Sequence, residues 1–218
     1  RSPVPLDQIP KTVRNAVLAM EDARFYDHPG IDAVGIARAL WVDRISNDRL
    51  ECGSTLTQQL AKQVFLTPEK SWRRKINEAL LAIDIEKNFT KDQIFELYAN
   101  QMYLGHGAYG VEAASQAYFH HSAAKLSPTE AAHLASVLPS PRHWSVTHPG
   151  SYVQRRVGWI VGQMGYGSHQ PDAEPEPDIP DDLLQQIDAD DGVAASAESA
   201  LSPAAAAVHD ETGASQTL

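Results

Sequence analysis

The sequence predicts an all-α fold for residues 1–168, followed by a disordered acidic tail at 169–218. In the first part, apolar residues recur at helical spacing, and helix N-cap signals precede several of these periodic segments. No stretch alternates apolar and polar residues as a β-strand would. At 218 residues, the chain is long enough to bury one substantial core of packed helices.

The first predicted helix carries a carboxylate on its apolar face. That face consists of Val13, Val17, Met20 and Phe25. Glu21 lies four residues after Val17 and therefore falls on the same face. We expect this helix to end at His28-Pro29-Gly30. A carboxylate kept out of water has a raised pKa and can act as a general base near neutral pH. The alternative is a Glu21 that reaches solvent or pairs with Arg38, with Asp22 and His28 bracing the turn.

The second predicted helix follows Gly53 and places polar groups along one side. Ser54, Gln58 and Lys62 recur at intervals of four, whereas Leu56, Leu60 and Val64 form a separate apolar face. Two hydrogen-bonding groups and a cation in one row are typical of a groove wall. Thr55 and Gln58 also have the spacing of a capping box, which explains the same residues structurally.

The third predicted helix concentrates positive charge around one acid. Thr67-Pro68 is expected to open it, and its predicted apolar face is Trp72, Ile76, Leu80 and Ile83. Lys70, Arg74 and Glu78 recur at intervals of four, with Lys75 adjacent. The alternative for these residues is an ordinary surface pair between Arg74 and Glu78.

Three further helices complete the domain. Thr90 and Gln93 cap a helix with apolar residues Ile94, Leu97 and Met102 that is expected to stop at Gly105. Ser127-Pro128-Thr129-Glu130 opens a helix whose predicted apolar face is Ala131, Leu134, Ala135 and Leu138. That helix should end at Pro139. The last helix spans about residues 152–164, with Val153, Val157, Ile160 and Met164 on one side.

Two segments do not fit the helical pattern. Residues 40–53 show no clear period and are expected to form a mobile loop, in which Trp41 and Val42 are candidates for membrane contact or ordinary packing. Residues 169–218 contain twelve acidic residues and no Lys or Arg, whereas residues 1–168 hold 18 basic and 16 acidic residues. The net charge of −10 therefore belongs to the tail, whose composition favours disorder.

Several site classes are excluded or weak. The single cysteine, Cys52, permits neither an internal disulfide nor a cysteine metal cage. The nine histidines include no His-Glu-x-x-His motif, so no metal site is predicted. Ser122 and Lys125 match the short Ser-x-x-Lys pattern of acyl transferases, but no Lys-Thr-Gly follows. No run of 18 apolar residues predicts a membrane span.

Four ordered motifs together resemble a known family. They are EDARFYDHPGID, GSTLTQQLAK, RRKINEALLA and KDQIFELYANQMYLGHGAYGVEAASQAYF, and the later LSPTEAAHLASVLPSP fits them. The chain thereby resembles the peptidoglycan glycosyltransferases, glycosyltransferase family 51. The resemblance covers the monofunctional biosynthetic transglycosylases and the glycosyltransferase domain of class A penicillin-binding proteins.

The resemblance implies a lysozyme-like helical fold with two lobes and a cleft. It implies polymerisation of lipid II into peptidoglycan by inverting β-1,4 glycosyl transfer, with release of undecaprenyl pyrophosphate. The expected place of action is the outer, periplasmic face of the bacterial cytoplasmic membrane, with an N-terminal anchor preceding Arg1. Expected partners are lipid II, the growing glycan strand, the membrane surface and other cell-wall synthesis proteins, but no nucleic acid. No cofactor is required, and a divalent Mg²⁺ or Mn²⁺ ion remains an open option.

The family's functional residues map onto this sequence motif by motif. Glu21 matches the general base, and Glu78 matches the second essential carboxylate. The positions that hold sugar and diphosphate are matched by Ser54, Thr55, Gln58, Lys62, Lys70, Arg74 and Lys75. The positions that brace the site are matched by Asp22, Phe25, His28 and Asn100.

Two rival functions share the predicted scaffold. A muramidase-like hydrolase also needs an acidic residue in a sugar cleft, but it has no diphosphate for Lys62, Arg74 and Lys75 to neutralise. An inactive scaffold for cell-wall proteins would be expected to lack one of the two carboxylates, and Glu21 and Glu78 are both present.

Overall fold

The computed structural model describes residues 2–36, 54–66 and 71–165. Its helices are α1 (Lys11–Glu21), α2 (Leu56–Phe65), α3 (Trp72–Asn88), α4 (Lys91–Gln101), α5 (Val111–Phe119), α6 (Pro128–Ser136) and α7 (Ser151–Gln163). Short 3-10 helices lie at Leu6–Gln8 and Ala123–Lys125. These ranges contain no β-strand, only an isolated bridge between Tyr103 and Tyr109. The prediction of an all-α fold is confirmed for this part of the chain.

Some sequence predictions fall outside the described residues. They concern the segment at 40–53, the helix start at Thr67-Pro68, Lys70 and the acidic tail at 169–218.

Three helices begin with the predicted capping boxes. The side chains of Thr55, Thr90 and Ser127 each accept a hydrogen bond from the backbone N–H three residues later. The Gln or Glu at that later position accepts one in return from the capping residue's N–H. Each box satisfies backbone donors that have no partner within the helix. The helix starts read from the sequence at these three positions are therefore confirmed.

The helices pack in two groups. Helix α1 lies against α6 and α7, which also pack against each other, whereas α2 packs against α3 and α4. The largest fully buried side chains come from both groups and include Val13, Val17, Leu56, Ile94, Phe95, Tyr98, Leu134 and Ile160. No helix within the described ranges combines the length and apolar character needed to cross a bilayer.

Helix α1 ends seven residues before the predicted end at His28. Asp22 leaves the helical conformation, with φ −165° and ψ 76°, and its carboxylate binds groups outside the helix. Phe25 is fully buried as predicted, but it lies in a turn and not on the helix. The periodic pattern identified the burial of Phe25 correctly and its conformation wrongly.

The predicted apolar face of α3 is wrong. Trp72, Ile76 and Leu80 are exposed, with 87% of the Trp72 surface accessible, and the buried face consists of Glu78, Ala82 and Ile85. The helix begins at Trp72 with Ser71 as its N-cap. The core-facing side contains a carboxylate between few apolar residues, so hydrophobic spacing alone selected the wrong side.

Smaller differences concern single residues. Leu97 on α4 and Val64 on α2 are exposed although both were predicted to face inward. Helix α6 ends at Ser136, ahead of Pro139. Val153, Val157 and Ile160 of α7 are buried, as their spacing predicted.

The corrected orientation of α3 can be tested with two similar truncations on this one helix. Ile85→Ala should lower the free energy of unfolding by about 2–4 kcal/mol, because it removes a buried side chain. Leu80→Ala should change it by less than about 0.5 kcal/mol, because that side chain is exposed. Urea denaturation measures both values. An equal loss of unfolding free energy from Leu80→Ala would mean that the face predicted from the sequence is the buried one.

Candidate active site

A buried carboxylate joins the end of α1 to the start of α2. Asp22 Oδ1 and Oδ2 lie 2.9 and 3.0 Å from His28 Nε2, and Oδ2 accepts a 3.0 Å hydrogen bond from the Leu56 N–H. Asp22 and His28 are both buried. The Leu56 N–H is one of the free donors at the helix start, where a negative charge is favourable. Asp22 and His28 therefore hold the end of α1 against the start of α2, and their match to the bracing positions of the family stays a prediction.

Thr55 extends this junction to α3. Its hydroxyl donates a 2.6 Å hydrogen bond to the Gly30 carbonyl and accepts one from the Gln58 N–H. Gly30 has φ +90°, and a Cβ there would lie 2.9 Å from the Ala82 carbonyl oxygen. Only glycine allows this close approach. Thr55 and Gln58 are buried in the capping box, so their match to sugar-holding positions stays a prediction.

Glu21 lies beside this junction and is held by α2. It is half-buried, and its Oε2 accepts a 2.5 Å hydrogen bond from Gln59 Nε2. The Oε1 of Gln59 accepts a 3.2 Å hydrogen bond from the hydroxyl of Tyr98 on α4. One end of the Glu21 carboxylate is thus fixed by α2, while the residue keeps some accessible surface.

The surroundings of Glu21 make it more basic than an ordinary glutamate. Burial is the main cause, and it raises the pKa of the Glu21 carboxyl above the usual 4.5. The Gln59 hydrogen bond and the positive charge of Arg156 act in the opposite direction, and the negative charge of Asp22 adds to the rise. The pKa direction expected from the sequence is confirmed.

Arg156 brings a buried positive charge from α7 toward the end of α1. Its Nε lies 3.1 Å from the Met20 sulfur, and its guanidinium lies over the rings of Trp144 and Tyr152 at 5.4 and 5.5 Å. A second guanidinium nitrogen donates a hydrogen bond to the Tyr152 hydroxyl. Met20, the residue next to Glu21, is thereby linked to α7.

The second carboxylate, Glu78, also reaches the start of α2. Glu78 is only 2% exposed, and its Oε1 lies 2.6 Å from Lys75 Nζ. The same Nζ donates a 2.5 Å hydrogen bond to the Ser54 hydroxyl. Lys75 therefore bridges α3 to the residue that precedes the α2 cap.

The other predicted cations differ in their surroundings. Arg74 is half-buried, and the structure shows no ion pair between Arg74 and Glu78 within the described ranges. Its Nε is buried without a hydrogen-bond partner. Lys62 is exposed in the last turn of α2. The surface Arg74–Glu78 pair considered from the sequence is therefore wrong, since Lys75 takes its place.

Two bracing residues act away from the carboxylates. Phe25 is buried beneath Lys91, whose Nζ lies 4.3 Å from the ring centroid. Asn100 Oδ1 accepts a 2.9 Å hydrogen bond from the Val4 N–H, and its Nδ2 donates to the Val4 and Glu96 carbonyls. Asn100 thus secures the N-terminal segment to α4, with no hydrogen bond to either carboxylate.

These contacts bring both carboxylates to the first turns of one helix. Glu21 reaches α2 through Gln59, and Glu78 reaches it through Lys75 and Ser54. A base with a raised pKa and an ammonium group at one helix start can accept a proton and stabilise a developing anion.

Sequence reasoning missed Gln59, Tyr98 and Arg156. Arg156 lies three residues after Val153 and next to Val157, so a charge on an apolar helix face was present as a signal. Tyr98 and Gln59 gave no such signal, because their hydrogen bond joins two helices that are far apart in the sequence.

No group of three or more His, Cys, Asp or Glu side chains suited to a metal ion occurs in the portions of the chain that the structure describes. The buried Glu78 carboxylate has its Oε1 engaged by the Lys75 ammonium. A divalent ion at this oxygen would compete with the ammonium.

Comparison with known proteins gives consistent matches. A family model described as Transglycosylase matches residues 1–165. Penicillin-binding protein 1F of Bacillus subtilis is 45% identical over 165 residues, covering 75% of this chain and 23% of that protein. Penicillin-binding protein 1A of Aquifex aeolicus is 51% identical over 154 residues, covering 70% and 21%.

A relative of more similar length is the biosynthetic peptidoglycan transglycosylase of Alcanivorax borkumensis. It is 46% identical over 158 residues, which cover 72% of this chain and 64% of that protein. The chain therefore spans less than two thirds of the length of each of these three relatives.

The raised pKa of Glu21 predicts a stability that depends on pH. In the folded protein the ionised form is disfavoured, so the contribution of Glu21 to stability is full below pH 4.5 and is lost as the pH rises through the folded-state pKa. Glu21→Gln should therefore raise the free energy of unfolding at pH 7, and this gain should disappear near pH 4. Urea denaturation at both pH values measures it.

Glu130→Gln is the matched control, because the pKa of Glu130 is shifted in the opposite direction. Burial tends to raise that pKa, but hydrogen bonds from Ser127 and His121 outweigh it and lower the value. This substitution should lower the free energy of unfolding at pH 7. A destabilising effect of Glu21→Gln at pH 7 would contradict the assigned environment of Glu21.

Proposed function

The chain belongs to the transglycosylase family, and on that basis we propose that it polymerises lipid II into the glycan strands of peptidoglycan. The reaction is an inverting β-1,4 glycosyl transfer that releases undecaprenyl pyrophosphate. The observation that carries the proposal is the desolvated Glu21 carboxylate, held by Gln59 at the same helix start to which Lys75 and Glu78 are bound.

Glu21 is the general base of the proposed reaction. The 4-hydroxyl of the acceptor sugar gives its proton to the Glu21 carboxylate while its oxygen forms a bond to the anomeric carbon of the donor. The bond from that carbon to the diphosphate breaks in the same step, and the electron pair leaves with the diphosphate. A raised pKa favours this role, because proton transfer is efficient when the pKa of the base lies near the working pH.

The cations stabilise the departing diphosphate. Lys62 lies on α2, and Arg74 and Lys75 lie on α3. Lys75 is fixed by Ser54 and Glu78 before the diphosphate arrives. Positive groups placed in advance lower the barrier without reorganising during the reaction. Glu78 orients Lys75 in this scheme, and Lys70 is proposed to add to the same charge. No step requires a metal ion.

The proposed substrate carries a lipid chain, and the surface of α2 and α3 suits a membrane. Five large exposed apolar side chains lie on these two packed helices: Val64, Phe65, Trp72, Ile76 and Leu80. Trp72, Ile76 and Leu80 recur at intervals of four and so share one side of α3. We refer to these five residues as the α2–α3 apolar surface.

We propose that the α2–α3 apolar surface rests on the outer face of the cytoplasmic membrane. Arg73 is exposed on α3 and would face anionic headgroups. The growing glycan strand and other cell-wall synthesis proteins are the remaining proposed partners. An apolar contact of this kind would keep Glu21 and Lys75, which both lie near the start of α2, close to a substrate held in the membrane.

The polymerase proposal is tested with lipid II in detergent, by following glycan chains on a gel. The wild-type protein should produce polymer, and Glu21→Gln should lower the rate by at least about a hundredfold, because it removes the proton acceptor. Glu130→Gln changes a carboxylate at the start of α6 and should keep the wild-type rate.

Normal polymerisation by Glu21→Gln would refute the role of Glu21. Cleavage of preformed glycan strands by the wild-type protein, without polymerisation of lipid II, would instead support the muramidase-like reaction.

Membrane contact is tested by cosedimentation with vesicles of phosphatidylcholine and phosphatidylglycerol. Replacing Phe65 and Trp72 together by Ser should weaken vesicle binding by roughly tenfold or more, because it removes two large apolar groups from the contact. Leu97→Ser, which changes an exposed apolar residue on α4, is the matched control and should bind normally. Equal weakening by both variants would contradict the assignment of this surface.

A further inference from the structure

The hydroxyl of Tyr98 is a buried polar group to which the proposed reaction gives no role. Tyr98 lies on α4, is 1% exposed, and donates a hydrogen bond to Gln59 Oε1. Gln59 in turn donates from its Nε2 to Glu21 Oε2. The three side chains form one chain of hydrogen bonds from the core to the proposed base.

The orientation of the Gln59 amide decides what Glu21 receives. An amide can present either its NH₂ group or its oxygen to a carboxylate, and the partner at its other end determines which. Burial, and next the negative charge of Glu21, raise the pKa of Tyr98 well above 10.0, so its hydroxyl keeps its proton and can donate. A donor on that side makes the Gln59 oxygen face Tyr98 and the NH₂ group face Glu21.

This arrangement distinguishes the two oxygens of Glu21. Oε2 is engaged by Gln59, whereas Oε1 accepts no hydrogen bond from any residue that the structure describes. A general base needs a free oxygen for the incoming proton.

We propose that Tyr98 is a positioning residue: its hydroxyl orients Gln59 toward Glu21 Oε2 and so leaves Glu21 Oε1 to take the proton from the acceptor sugar. This inference rests on the proposed function, because it assigns the atom that serves as base in that reaction. The proton passes from the acceptor hydroxyl to Oε1, and no further reactant is involved.

The same contact controls the charge of Glu21. The charged or titratable groups that act on Glu21 are Asp22 at the end of α1, Tyr98 of α4 and Arg156 of α7, while α2 contributes the neutral Gln59. The Gln59 hydrogen bond favours the ionised carboxylate. Without the Tyr98 hydroxyl, the Gln59 oxygen would lose its buried donor, and the amide could turn its oxygen toward Glu21. That orientation favours the protonated acid.

Tyr98→Phe tests the proposal because it removes the hydroxyl and keeps the ring. The pH below which polymerisation is lost should move upward, with a roughly tenfold lower rate on the acidic side and recovery of the rate at higher pH. Tyr118→Phe is the matched control: its hydroxyl donates to the Leu104 carbonyl, with no link to Glu21. This variant should keep the wild-type pH profile.

A second measurement separates this inference from the polymerase proposal. The pKa of Glu21, followed by carboxyl ¹³C NMR in the full chain, should be higher in Tyr98→Phe than in wild type, whether or not lipid II is a substrate. A loss of rate that is equal at all pH values, with an unchanged Glu21 pKa, would mean that Tyr98 only supports the fold. That result would overturn the inference and leave the polymerase proposal standing.

Discussion

The placement of the candidate site depends on the buried Asp22 carboxylate. It ends α1, binds His28 and accepts the Leu56 N–H at the start of α2. Because Glu21 immediately precedes Asp22, this junction also sets where the proposed base can lie. Gln59 is one turn from Leu56, so the helix that Asp22 anchors also supplies the hydrogen bond to Glu21.

The site also carries a conflict between stability and chemistry. Keeping the Glu21 carboxylate out of water disfavours its charged form, which the proposed reaction requires. Gln59 and Arg156 compensate in part, one with a hydrogen bond and the other with a positive charge. The surrounding fold must therefore be stable enough to offset the free-energy cost of the ionised Glu21 carboxylate. The capping boxes and the well-packed core of both helix groups supply that support.

Local signals in the sequence predicted the helix starts and the character of Glu21. Capping boxes involve residues three positions apart, and the face of Glu21 follows from its spacing to Val17, so both can be read within one segment. The side of α3 that faces inward could not be read in this way. Its buried carboxylate pairs with Lys75 on the same helix, and the contact of Lys75 with Ser54 exists only after α2 and α3 have packed. The contact between Tyr98 and Gln59 could not be read from the sequence either, because it joins helices that are distant in the chain.

The Lys75–Glu78 ion pair has a consequence for how a diphosphate would enter and leave. In the proposed reaction, Glu78 neutralises the Lys75 ammonium before any anion arrives, so the diphosphate would share Lys75 with a carboxylate instead of meeting an unpaired cation. Such sharing would weaken retention of the anion, because Lys75 is still paired with Glu78 after the anion has left. If the chain releases one diphosphate in every cycle, as proposed, weaker retention would make that release faster.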